Sequence, residues 1–325
     1  MTRNQSQLMR VAVVALCVCM TAVHADTYPS KPITIIVPYA AGGATDATAR
    51  RIAEALSRSM SASVIVDNRP GAATTLAAAY VARAPKDGYT LLMAPGTTTS
   101  VNPYIYRHLS YKSEDFAAIS LVSKQAFALT ATQSLPAKSI AEFVAYAQAK
   151  TEGITYGTTG TGSLTNIIGE WIGRTIGIKV TEVPYKGTSP STIDLIGGRI
   201  DTQVEGITNA IPMHVSGKTR IIGVMSETRL PLVPDVPTFR EAGYPNLVAY
   251  TYFGLLAPAG TPADVINKLH AAVVAAVAAP DFASKLAAGG EVAVSSASPK
   301  QYASFLHDEY ERWGVIVKPL NLKLD

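Results

Sequence analysis

YPSKPITIIVPYAAGGATDATARRIAEAL, running from Tyr28 to Leu56, joins an apolar strand to a long helix through a loop of small residues. The β-branched run Ile33 to Val37 predicts the strand, and the helix is expected to begin near Asp46. A junction of this kind aims the free N–H groups of a helix N-terminus at whatever sits above it. The partial positive charge there favours an anion. Gly42 and Gly43 leave the loop backbone unobstructed and free to take positive φ.

Outward from this loop, short β-branched runs alternate with amphipathic stretches. Ser63–Val66 and Tyr89–Met93 read as strands, with helices over 46–59 and about 72–83. Phe127–Thr132 starts a second series. It continues with a helix from Ser139 to about Lys150, a strand at Ile154–Tyr156 and a helix from about Ser163. Strands follow at Val180–Val183, Asp201–Glu205, Ile221–Met225 and Tyr250–Ala257, then helices at Pro262–Ala278 and Pro299–Val317. The spacing of Pro231, Pro234 and Pro237 rules out a continuous helix between Leu230 and Pro245. The β-α-β-α order predicts an α/β protein with largely parallel sheets. The chain is expected to cross between two lobes near Ile119–Phe127 and again near Tyr250–Leu256. That places lobe 1 at 26–122 and 255–325 and lobe 2 at 123–254, with a ligand cleft between them.

Ligands in open parallel sheets bind at loops beyond the carboxyl ends of strands. Five loops fit that position: Tyr39–Asp46, Pro95–Ser100, Tyr156–Asn166, Pro184–Ser191 and Glu205–Asn209. Any one of them could be an ordinary helix cap. Five strand-to-helix junctions divided between two lobes point to a site.

The N-terminus reads as an export signal, expected to be removed after Ala25 to leave the protein outside the cytoplasm. Arg3 and Arg10 flank a short apolar core, Val11 to Met20, and Val23-His24-Ala25 supplies the cleavage positions. Both cysteines, Cys17 and Cys19, fall in this leader. The remaining chain therefore has no disulfide, thiol nucleophile or thiolate metal site. Lys and Arg number 28 against 24 acidic residues, with no basic run, so nothing supports nucleic-acid binding.

SKPITIIVPYAAGGATD, VDNRPGA (Val66–Ala72), KDGYTLL (Lys86–Leu92), YGTTGTGS, VPYKG, LVPDVPT (Leu232–Thr238), GLLAPAGTP (Gly254–Pro262) and ERWG (Glu311–Gly314) keep their order along nearly the whole exported chain. In these motifs it resembles the periplasmic substrate-binding receptors of tripartite tricarboxylate transporters, the Bordetella uptake gene receptors. The resemblance implies a two-lobed periplasmic-binding-protein fold, type II-like, that closes over a small organic mono- or dicarboxylate, aliphatic or aromatic. It implies a monomer that delivers this ligand to membrane permease subunits and needs no cofactor or metal. By position in the family pattern, Tyr39, Ala41, Gly42, Gly43, Ala44 and Asp46 would form one jaw, with Thr97, Thr98 and Thr99 beside it. Gly160, Thr161, Gly162, Ser163 and Asn166 would form the other. Lys186 would either attract anions to the cleft or be simply a solvated lysine. Asp46 would serve as a helix cap or water-orienting acceptor, or as a cap with no ligand role.

Two positions depart from the family pattern: Asn166 stands where His is frequent, and Glu205-Gly206 where Asp-Asn is frequent. If Glu205 faces the ligand, it opposes a second carboxylate; if it caps the next helix, nothing about the ligand follows. An exported hydrolase is disfavoured. There is no G-x-S-x-G elbow, and His108, His214, His270 and His307 are scattered, so no catalytic residue is assigned. A receptor feeding a periplasmic sensor would share the same fold and cleft.

Overall fold

The computed structural model describes residues 28–325. The export signal, with Arg3, Arg10, Cys17, Cys19 and the cut after Ala25, lies outside the described residues. The body of the chain is the compact unit Lys31–Asp325.

Strand β1, Ile33–Val37, is buried on both faces, as a strand inside a parallel ladder must be. It pairs in parallel with β2, Val64–Asn68, and with β3, Thr90–Pro95. Helix α1, Ala44–Met60, covers them. Its buried Ala49, Ile52, Ala53 and Leu56 follow the spacing of one helical face. It starts two residues earlier than Asp46. Helix α2, Thr75–Ala82, follows a tight turn at Ala72–Thr74, and α3, Asn102–Ile105, is a single turn.

The expected crossing near Ile119–Phe127 is one continuous strand. β4, Phe116–Thr132, runs for 17 residues and serves both lobes. Its first part pairs with β9, Tyr250–Pro258, and its last part with β7, Thr202–Gly206, and β8, Thr219–Val224. All of these pairings are antiparallel, as is β3 with β9. The expectation of largely parallel sheets therefore holds only for the outer strands, such as β5, Ile154–Thr158, with β6, Val180–Pro184. The reason is topological. A chain that passes between lobes and returns lays its two passes side by side in opposite directions, with no crossover helix.

In the second lobe, α4 (Ile140–Ala149) and α5 (Leu164–Ile176) begin at Ser139 and Ser163, whose hydroxyls accept the N–H groups of Glu142 and Asn166. Helices α6, Thr188–Ile196, and α7, Ile207–Val215, follow the fourth and fifth loops. The proline-rich stretch 230–245 holds no strand or regular helix. Helix α8, Ala263–Ala278, returns to the first lobe. The short α9, Pro280–Ala287, and β10, Val292–Ala293, which pairs with β4, were not expected.

The last helix, α10, Pro299–Val317, adds a third connection between the lobes. Near its start, Tyr302 packs with Ile36, Leu92 and Leu256. Near its end, Trp313 and Val317 join Phe127, Ile154 and Ile167 in the core of the second lobe. Gly254 on β9 is glycine because a Cβ there would strike the Tyr302 hydroxyl. Beyond the helix, Leu324 pairs with α3: its N–H donates to Ile105 O at 2.7 Å and its carbonyl accepts from Arg107 N at 3.0 Å.

Candidate functional site

The first loop is built around Asp46. Gly42, at φ +87, turns its N–H back onto Asp46 Oδ2 at 2.9 Å. Arg50 Nε and Asn68 Nδ2 donate to the same carboxylate at 3.0 Å each. Burial alone would raise this carboxyl, but Arg50, the Gly42 N–H and Asn68 together hold it below its usual range. Asp46 is thus a buried anion that shapes the loop, and it does not line the cleft. The N–H groups of Gly43, Ala44, Thr45 and Asp46, the four orphan donors of α1, have no partner within the described protein.

The second loop repeats the device. Gly162, at φ +80, donates its N–H to Asn166 Oδ1 at 3.0 Å, and Asn166 Nδ2 donates to the Tyr156 hydroxyl at 2.9 Å. The two loops share one pattern, Gly-x-x-Thr followed by Asp or Asn: Gly42 to Asp46 and Gly162 to Asn166. The threonine of each, Thr45 and Thr165, lines the cleft. The jaws are not equivalent as donors. In the second, the N–H groups of Gly162, Ser163, Leu164 and Asn166 all have partners, so Thr165 alone keeps one for a ligand.

Thr97 joins the jaws. Its Oγ1 accepts the Tyr39 hydroxyl at 3.1 Å and, across the cleft, the Leu164 N–H at 3.0 Å. With both acceptor positions taken, its own proton is left to donate into the cleft that it lines. The expected neighbours turn away: Thr98 bonds Thr74 and Thr99 bonds the Tyr252 hydroxyl, at 2.8 and 2.7 Å. The lobes also meet where Ala40 N donates to Lys186 O at 3.2 Å.

Other expected residues stand beside the cleft rather than on it. Gly160, Thr161 and Lys186 line a neighbouring groove, and the Thr161 hydroxyl donates to Glu182 at 2.8 Å. Ser163 caps α5, and its hydroxyl bonds that of Thr165 at 2.8 Å. Ala41 is exposed on the loop's outer side. Glu205 does not face the cleft. It is 1% exposed, and its carboxyl accepts the Thr130 hydroxyl at 2.7 Å, with Gln203 beside it. Burial pushes it up to about 7. A strand alternates its side chains, so Glu205 turns away from the wall to which Gly206 contributes.

The cleft is narrow between the jaws, and together with the open solvent at its mouth it spans about 480 Å³ of non-atom space. Of the expected residues, Tyr39, Gly43, Ala44 and Thr97 line it. Thr45, Gln125, Thr165 and Thr188 are polar lining residues that sequence reasoning missed. Phe127, Leu164 and Phe253 supply apolar wall. No Lys, Arg, His, Asp or Glu is among the lining residues. An anion here is met by N–H groups, hydroxyls and helix dipoles, with no buried cation to desolvate. Among the described residues, no group of three or more His, Cys, Asp or Glu side chains could hold a metal ion.

The model of the tripartite tricarboxylate transporter family receptor matches residues 48–322. A UPF0065 protein of Agrobacterium vitis is 34% identical over 320 residues, covering 97% of this chain and 92% of that one. BugT of Bordetella pertussis is 32% identical over 304 residues, 93% of each. Among solved structures, a Rhodopseudomonas palustris protein with adipate superposes at TM-score 0.88 and 31% identity, covering 91% of this chain and 99% of that one. MatC of the same organism, with bound malate, gives 0.85 and 32%, covering 89% and 100%. The chain belongs to the receptor family of the tripartite tricarboxylate transporters.

Proposed function

We propose that this protein is a periplasmic receptor that captures a small organic carboxylate between its lobes and hands it to the permease subunits of a membrane transporter. The observation that carries this reading is the set of partnerless N–H groups at the start of α1, beside a cleft lined by hydroxyls and no cation. That is the chemistry of a site for a single carboxylate. The adipate and malate held by relatives of the same fold support it. The receptor acts as a monomer and is not an enzyme, and the leader is removed after Ala25. Lobe 1 comprises 26–122 and 255–325 and lobe 2 comprises 123–254, with the end of α10 reaching into the core of lobe 2. Tyr39, Gly43, Ala44, Thr45 and Thr97 hold the carboxylate, and Asp46 and Asn166 hold the loops that hold it.

A thermal-shift screen of the exported protein across organic acids tests this. A ligand at a hundred times its Kd adds about 2.7 kcal/mol to the native state, a readily measured rise in Tm. No rise with any acid, together with turnover of an ester or amide, would contradict the reading.

A further inference from the structure

Gln125 lies on β4 where the strand passes between the lobes, and it lines the cleft although it is only 2% exposed. Its Oε1 accepts the Thr208 N–H at 3.0 Å. A backbone N–H can only donate, so this bond fixes which end of the amide is oxygen and which is nitrogen. Nε2 is the other end, buried and without a partner. An unmade hydrogen bond on a buried donor is costly enough that native proteins seldom keep one without use.

Space for this amide is built into the fold. Gly206 has an ordinary backbone that needs no glycine, at φ -69. A Cβ there would lie 2.5 Å from Gln125 Oε1 and 3.0 Å from Nε2. Glycine at 206 therefore lets the Gln125 amide rest against β7. Any other residue would displace it.

The surroundings decide what Nε2 can receive. No cationic side chain lines the cleft, and the best anion donors, at α1, are held by the other part of the wall. Two buried carboxyls lie behind this part of the wall, and the Arg51 guanidinium acts on the second of them. Glu205 precedes Gly206, and Glu291, buried between Thr48 and Ser123, stands beside Thr208. Burial pushes both carboxyls up to about 7, so near neutral pH each is partly ionised, and a further anion nearby would cost either repulsion or the uptake of a proton. A neutral acceptor meets a neutral amide donor without that cost.

Resting on the carboxylate-receptor reading above, we infer that the Nε2–H of Gln125 reads the far end of the ligand and that this end is a neutral acceptor, a carboxamide or carbonyl, rather than a second carboxylate. The ligand class is then an organic acid with one carboxylate and one neutral polar terminus, its carbon skeleton lying along Phe127 and Phe253.

The test is calorimetric titration with matched trios: butyrate, succinamate and succinate; hexanoate, adipamate and adipate; benzoate, 4-carbamoylbenzoate and terephthalate. In at least one trio the mono-amide binds about 10-fold more tightly than both the plain acid and the diacid, the worth of one neutral hydrogen bond. Gln125→Met removes the advantage of the mono-amide over the plain acid. Gln125→Glu keeps the Thr208 contact and removes the same advantage, which covers the case in which the methionine variant folds poorly. A plain acid or a diacid that binds as well as its mono-amide in every trio that binds, or an advantage that survives in both variants, overturns the inference alone. Binding of none of the nine overturns the carboxylate reading and this inference with it.

Discussion

Thr97 and Leu164 are 67 residues apart in the chain, and the Thr97 hydroxyl accepts the Leu164 N–H at 3.0 Å, tying the first lobe to the first turn of α5 in the second. The same oxygen accepts Tyr39. On the proposed function, closure and ligand contact therefore share one atom. Thr97→Val keeps the shape and removes the acceptor, leaving an N–H unpaired on closure at a cost of about 1–3 kcal/mol. Carboxylate affinity should fall about 10- to 100-fold by calorimetry, and Thr97→Ser should retain most of it. Equal affinity in the valine variant would show that the hydroxyl does neither task.

Asp46 should matter for folding as well as for binding. Asp46→Ala removes the acceptor for Gly42 N, Arg50 and Asn68 together. The expected loss is about 1–3 kcal/mol in urea unfolding, with weaker ligand binding because the loop loses its shape. Since the folded carboxyl sits below its usual range, the wild-type contribution is present above the ordinary value of 3.8 and is lost as pH falls through the folded one. The alanine variant should lose less stability on acidification than the wild type does. A variant within about 0.5 kcal/mol of wild type at neutral pH would contradict this role.

Glu205 carries the opposite sign. Its folded carboxyl is raised from 4.5 to about 7, so the folded state binds a proton more readily than the unfolded chain. Its contribution is fully present below the unfolded value and is lost as pH rises toward and through about 7. Glu205→Gln cannot ionise. It should flatten the decline in stability over that window and be more stable than wild type at pH 8, read as urea midpoints across pH. An unchanged slope would mean that Glu205 ionises freely in the fold.

Local chemistry made much of this protein legible in sequence. β1 and α10 match their expected limits to the residue. The first is a β-branched run ending before Pro38, and the second begins with Pro299 behind the Ser298 cap. The two jaws could be found because helix N-termini announce themselves in small and hydroxyl residues. What was not legible depends on partners distant in the chain. Ser120, Ser123, Lys124 and Gln125 look like a break in an apolar run, yet they continue β4 because β9 pairs alongside. Thr98 and Thr99 looked like ligand contacts until Thr74 and Tyr252 took their hydroxyls. Gln125 gave no local signal, because a glutamine within a strand becomes a ligand donor only through Thr208 and Gly206. Thr45 and Thr165 could have been found from the repeated Gly-x-x-Thr pattern.

The central claim is that the N-terminus of α1 holds the ligand carboxylate, and Gly43→Val tests it most directly. Gly43 has φ -83, and a Cβ there meets nothing nearer than Ala40 O at 3.9 Å, so the valine is accommodated by the fold while it covers the donors. Titration of wild type and variant with the acid that gives the largest thermal shift should show binding in the first and a loss of at least about 100-fold in the second, with equal Tm in the absence of ligand. Wild-type affinity in Gly43→Val would contradict the account.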